Sequence, residues 1–231
     1  MNEVTYTWTG DQVTKYEPRY IYEKTYPAPY GLSFCPLPTN IDSNLDFIDM
    51  NSCSASPYKG MISTNALIEY EKVIEIMKLF ESTPINIMEI GISAVEENSF
   101  TSAIINNKHP DSIYVGVDID NKSKLDNKDK KIFTIQSKSE DQLFIRQKLK
   151  EIGINELSIL FIDGWHSVNS AINDWKYVDI LVKGGKVIFH DVNCHPGPKI
   201  ILDAIDKYMF SVENCFEEIF DVYGMAIITK L

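Results

Sequence analysis

The 231-residue chain is short of the features that mark several protein classes. Basic residues are outnumbered, 22 Lys and Arg against 33 Asp and Glu, for a net charge of −11. That balance argues against nucleic acid or an anionic membrane as the main partner, because phosphate contacts are made by Lys and Arg. No apolar run approaches the roughly 18 residues needed to cross a bilayer. The first residues, MNEVTYTWTGDQ, carry neither a basic n-region nor an apolar h-region, so no secretory signal is expected and the setting is read as cytoplasmic. The four cysteines are far apart and form no C-x-x-C, which removes zinc ribbons and thioredoxin-like motifs and favours free thiols. There is also no G-x-G-x-x-G, which weighs against a nicotinamide-dependent oxidoreductase.

Residues 1–61 are rich in Tyr and Pro and show no helical or strand period, so they are predicted to form an irregular, extended arm or lid. Their aromatic content is unlike that of disordered tails, which suggests an arm lying over the main domain or a contact in a homodimer. Residues 62–231 are regular. Leu67, Tyr70, Val73, Ile74, Met77 and Phe80 recur at helical spacing. Apolar runs follow at 85–90, 112–120, 131–136 and around ELSILFID and KVIFHD, with helical segments between them. Ser139 and Gln142 have the spacing of a capping box, Gly153 suits a helix C-terminus, and Ser167 is a candidate cap.

In the helix after Ser167, Val168, Ala171, Ile172, Trp175, Val178 and Val182 are predicted to share the apolar face. Asn169, Asn173, Asp174 and Lys176 are predicted to face water, with Gly184–Gly185 as the end. Pro198 is placed at the first position of a last helix running to Met209. The tail from Phe216 is read as two strands about Tyr223–Gly224, or one bulged strand. Strands apolar on successive residues are covered on both faces, so the fold class is α/β with a doubly wound, mostly parallel sheet.

In such sheets ligands bind beyond the carboxyl ends of the strands, and there the chain puts its acids and histidines. Glu89 ends the first strand and Gly91 follows it; Asp118 ends the second, where a carboxylate can accept both hydroxyls of a ribose. Asp163 and Asp191 end two later strands and would repel each other without a proton or cation between them. His190 is a borderline ligand that shifts the preference from Mg²⁺ toward Mn²⁺ or other transition metals, with Asn193 and His195 in reserve. His166, three residues past Asp163, suits general-base work near neutrality.

The series MEIGI, VGVDID, QSKSED, FIDGWHS and GGKVIFHDV resembles the class I S-adenosylmethionine-dependent methyltransferases, in the small O-methyltransferase branch with the cephalosporin hydroxylase-like and macrolide-sugar enzymes. The resemblance covers about residues 62–230. It implies a seven-stranded Rossmann-like sheet with a C-terminal antiparallel strand, and S-adenosyl-L-methionine as cofactor with Mg or Mn. It places Glu89 and Gly91 at the methionine end, Asp118 at the ribose and Ser139 beside the adenine. Asp163, His190 and Asp191 fall at metal positions, and His166 at that of a base. The first loop, GISAVEENS, departs from the family by keeping only Gly91 and adding Glu96 and Glu97. Trp165 replaces a second acid and can pack on adenine or substrate. The expected activity is O-methylation of a small hydroxylated acceptor, such as a sugar or surface-polysaccharide precursor. The rival readings are a methyltransferase-like binding module without catalysis and a nicotinamide-dependent oxidoreductase.

Overall fold

The computed structural model describes residues 6–9, 12–15, 30–32, 66–93, 99–166, 168–193, 196–216 and 223–231. Ser167, His195, Glu96, Glu97 and most of the amino-terminal segment lie outside the described residues. β1 (Tyr6–Thr9) and β2 (Gln12–Lys15) pair as an antiparallel hairpin. The main body follows as α1 (Ala66–Lys78), β3 (Asn86–Ile90), α2 (Phe100–Asn107), β4 (Ile113–Asp118) and β5 (Ile132–Gln136). It continues through α3 (Gln142–Ile152), β6 (Leu157–Ile162), α4 (Val168–Trp175) and β7 (Leu181–His190). It closes with α5 (Pro196–Ala204), β8 (Phe210–Cys215) and β9 (Met225–Lys230).

The seven strands lie in the order β5-β4-β3-β6-β7-β9-β8. β9 is antiparallel to both of its neighbours and the other pairings are parallel. This is the predicted doubly wound sheet, and strand alternation explains its two buried faces. Met88, Ile90, Val115, Val117, Leu160 and Ile162 pack under α3, α4 and α5. Ile87, Tyr114, Ile159, Phe161 and Ile188 pack under α1 and α2. Sheet order reverses beside β3 and β6, so the crevice opens where the acids were expected. No described helix is long and apolar enough to cross a membrane.

Five local expectations are corrected. The buried stripe of α1 is Glu69, Val73, Ile76 and Met77, and Leu67 is 39% exposed. Ser139 and Gln142 form no capping box: α3 starts at Gln142, whose side-chain amide donates to the carbonyls of Asn173 and Ser139. α4 stops at Trp175 and passes through a 3₁₀ turn (Lys176–Ile180) into β7, which contains Val182 and Gly184–Gly185. Leu157 pairs with Leu181 but Ile159 with Lys186, so the glycines form a bulge, Gly184 at φ +77. α5 opens at Pro196, with Pro198 inside the first turn where its missing amide costs nothing. The edge strand β8 lies at 210–215, upstream of the predicted tail strands. Gly153, as expected, closes α3 in the left-handed conformation.

Of the amino-terminal segment, residues 30–32 dock on the main body. Trp175 Nε1 donates to the Tyr30 carbonyl (2.9 Å), and the Asp206 amide donates to that of Gly31 (2.8 Å). Leu32 bridges to Ile205 and enters the core.

Candidate active site

A cavity of about 510 Å³ opens at the carboxyl ends of β3, β4 and β6. Gly91, Asp118, Ser139, Asp163 and Trp165, all singled out in the sequence, line it. Gly91 has φ +84, and a methyl group there would run into the Asp163 carbonyl. Only glycine lets the β3 and β6 turns close this tightly. Asp118 Oδ2 accepts the Ile92 amide (2.8 Å) and Oδ1 accepts that of Asp120 (2.7 Å), so one carboxylate orders both loops at the cavity mouth. Each oxygen keeps a further lone pair for a ligand hydroxyl. Trp165, 52% exposed, forms the lip.

Glu89 lies elsewhere. Its side chain points to the α1/α2 face, fully buried, and accepts from Thr101 Oγ1 (3.0 Å) and from the Tyr114 hydroxyl. Burial pushes its carboxyl up to about 8, against the two hydroxyl donors that hold it down. A folded-state value above the ordinary one stabilises the fold fully below about pH 4.5, and this is lost as pH rises through about 8. Glu89→Gln should therefore flatten the fall in unfolding free energy between pH 5 and 8.5, by on the order of a few kcal/mol at the alkaline end, as read by denaturant titration. Equal pH dependence in both proteins would contradict this placement.

Asp174, expected to face water, is 1% exposed and sits under Gly164, with the Ser139 side chain as hydrogen-bond partner. Burial pushes its carboxyl up to about 7. The polar cap it gives the crevice floor was hidden by its place among the polar residues of α4.

Beside the cavity Asp163, His166, His190 and Asp191 converge. His190 Nδ1 is 3.1 Å from Asp163 Oδ1 and 3.3 Å from Asp191 Oδ1. His166 Nε2 is 2.5 Å from Asp191 Oδ2 and 3.9 Å from Asp163 Oδ1. Asp163, His190 and Asp191 present one ligand atom each, all within 4.8 Å of one another. Cis ligands on an octahedral ion with bonds of about 2.1 Å lie about 3.0 Å apart, so the donor set and its spacing fit a divalent cation. Asp191 takes a left-handed backbone, φ 61, stabilised on its C-terminal side by Val192 and Asn193 amides donating to Gly224 and Tyr223 carbonyls. Burial opposes a charged imidazole at both histidines, yet Asp191 and Asp163 outweigh it. His166 is pushed up to about 9 and His190 is raised well above its ordinary value, while the histidines hold Asp191 well below the carboxylate range. With the carboxylates so disposed, His166 is a proton donor at neutrality. A cation that engaged their charge would favour its neutral, proton-accepting form.

Glu69, missed in the sequence, reaches this cluster from α1. Its Oε2 lies 3.3 Å from His190 Nε2, and its Oε1 accepts the Gly224 amide (2.9 Å). An acid four residues before Val73 and seven before Ile76 on an apolar stripe was the available signal. Phe100 covers the His190 ring edge-on at 4.7 Å.

The fold is similar to that of solved S-adenosylmethionine-dependent O-methyltransferases, as the sequence motifs implied. Three solved structures with 12–17% identity share it. MycE, a methyltransferase from the mycinamycin biosynthetic pathway solved with Mg, SAH and mycinamycin VI, is similar over 72% of this chain (TM-score 0.51, 17% identity). The match covers 54% of that protein, so the chain spans about half its length. An O-methyltransferase from Bacillus cereus with SAH matches 84% of this chain and 94% of its own (TM-score 0.54, 12% identity). TomG from Streptomyces achromogenes, an O-methyltransferase of tomaymycin synthesis solved with SAM, matches 84% and 92% (TM-score 0.51, 12% identity). No protein-family profile matches the chain, and no curated protein sequence does.

Proposed function

We propose that the protein is an S-adenosylmethionine-dependent O-methyltransferase that uses a divalent cation and acts on a small hydroxylated acceptor. The observation that carries this reading is that Asp163 belongs both to the cavity wall and to the cation-type cluster. A cofactor cleft and a hydroxyl-activating site thereby share an edge. The cofactor supplies an activated sulfonium methyl, and a cation on Asp163, His190 and Asp191 supplies a Lewis acid for the acceptor oxygen.

The chain's own residues bind and orient. Asp118 offers its remaining lone pairs to ribose hydroxyls, and Gly91 brings backbone close to the methionine end. Ser139 and Trp165 border the adenine side. Glu89, buried behind β3, acts by shaping the strand end. His166, its side chain 27% exposed and its Nε2 held by Asp191, is the base that takes up the acceptor's hydroxyl proton. The transfer needs acceptor oxygen, methyl and sulfur in line, so positioning does most of the work.

Asp118→Ala should weaken SAH binding about 10- to 100-fold in calorimetry, as loss of charge-assisted hydrogen bonds does. An unchanged affinity would remove Asp118 from the cofactor site. For the acceptor we favour a sugar or surface-polysaccharide precursor, free or as a phosphate conjugate. The support is the resemblance of the motifs to sugar-modifying methyltransferases; the Tyr-rich amino-terminal segment suits a small hydroxylated molecule, since aromatic faces stack on sugars as readily as on aromatic rings. Incubation with methyl-labelled S-adenosylmethionine and a panel of sugars, nucleotide sugars and catechols tests this. Label in sugars supports it, label only in catechols moves the acceptor class, and SAH binding without any transfer argues for a non-catalytic module.

A further inference from the structure

The contact between Glu69 and His190 decides which nitrogen of that histidine faces the carboxylates. Glu69 accepts the Gly224 amide with one oxygen and faces His190 Nε2 with the other. A carboxylate only accepts, so Nε2 must carry the hydrogen in that pair. Nδ1 faces Asp163 Oδ1 and Asp191 Oδ1 at 3.1 and 3.3 Å, so a cation bound between them would displace the hydrogen on Nδ1 alone and meet its lone pair, while Glu69 keeps the one on Nε2. Ligating histidines are commonly held by a carboxylate on their second nitrogen, which fixes tautomer and ring orientation. Phe100 packs against the ring and restricts its rotation.

We propose that Glu69 is the positioning residue that turns Nδ1 of His190 to the cation, making the centre a nitrogen-containing site selective for zinc- or transition-type ions over Mg²⁺. This rests on the cation-assisted reading above. Two carboxylate oxygens alone suit Mg²⁺, whereas an imidazole favours softer divalent ions. Tetrahedral bonds of about 2.0 Å place ligand atoms about 3.3 Å apart, close to the two distances from His190 Nδ1.

Glu69→Gln separates positioning from packing. Glutamine has one oxygen for two donors. If it keeps the Gly224 amide, its NH₂ faces Nε2, the ring hydrogen moves to Nδ1, and the ligand lone pair is lost. Zn²⁺ and Mg²⁺ are titrated separately into the full chain by calorimetry, and imidazole nitrogens of the Zn²⁺-loaded protein are read by ¹⁵N NMR. The wild type should bind Zn²⁺ the tighter, with metal on Nδ1 and hydrogen on Nε2 of His190. Glu69→Gln should weaken Zn²⁺ about 10- to 100-fold and Mg²⁺ by less than about threefold. His190→Asp, which makes an all-oxygen set, should abolish the preference, and it serves if Glu69→Gln does not fold.

Equal loss of both ions in Glu69→Gln, a preference kept in His190→Asp, or a His190 with hydrogen on both nitrogens at saturating Zn²⁺ would each overturn the proposal. A wild type that binds SAH but neither ion also overturns it, and leaves methyl transfer standing. A wild type that binds Zn²⁺ through His190 but not SAH overturns methyl transfer alone.

Discussion

Asp191→Asn lowers turnover about 10²- to 10³-fold while the protein stays folded and binds SAH as before. Asparagine is the informative replacement because position 191 has φ 61, a conformation that Asn tolerates and most residues do not. The exchange keeps size and backbone but removes the charge that both histidines face. A cation's charge stabilisation in the transition state is worth several kcal/mol, of which losing one ligand charge should remove about 3–4 kcal/mol. At 1.4 kcal/mol per decade, this gives the stated range. Single-turnover rates with Mg²⁺, Mn²⁺ or chelator measure it. A variant with undiminished turnover would remove the cluster from the chemistry.

His166→Ala gives the other large effect, a fall of about 10²- to 10⁴-fold in turnover, the usual contribution of a positioned acid or base. Cofactor affinity should stay within about twofold of wild type, because His166 lies outside the cavity wall. The arrangement also separates this residue from Asp191. Removing the imidazole takes away a proton acceptor but leaves Asp163, His190 and Asp191 to hold a cation. Divalent-ion affinity should therefore survive in His166→Ala and fall in Asp191→Asn. Calorimetric titration of both variants with Mn²⁺ checks the contrast, and parallel losses would mean that His166 belongs to the ion site itself.

The parts of this site that could be read from the chain are those carried by strands. β3, β4, β6 and β7 are apolar on successive residues, so their ends were marked by Glu89, Asp118, Asp163 and Asp191. The periodic signal was weaker on helices. In α1 two stripes compete, one through Leu67, Tyr70 and Ile74 and one through Glu69, Ile76 and Met77, and packing against β3 and β7 selects the second. The hidden partner of His190 sat on the stripe that propensity did not favour. Asp174 was misplaced for a related reason: a polar residue counts as water-facing in a periodic pattern, although a loop above it can use it as a partner.

β8 escaped because it is an edge strand, alternating buried Phe210 with exposed Ser211, and follows α5 without a strong breaker. Gly184–Gly185 are read as a helix stop by local rules, whereas the pairing of β6 with β7 turns them into a bulge. The motif resemblance puts Glu89 at the methionine end, whereas strand alternation puts it on the face opposite Ile90. Its hydroxyl partners, Thr101 and Tyr114, come from separate elements and had no local signal.

The central claim is that the crevice beside Asp118 and Asp163 is an adenosyl-sulfur site. Titrating the purified full chain with SAH, and in parallel with NADP⁺, by intrinsic tryptophan fluorescence tests it directly, since Trp165 stands half-exposed at the lip. Saturable quenching by SAH, absent with NADP⁺ and reduced in Trp165→Phe, is the predicted result. No response to SAH by fluorescence or calorimetry, or saturable binding of NADP⁺ in its place, would contradict it.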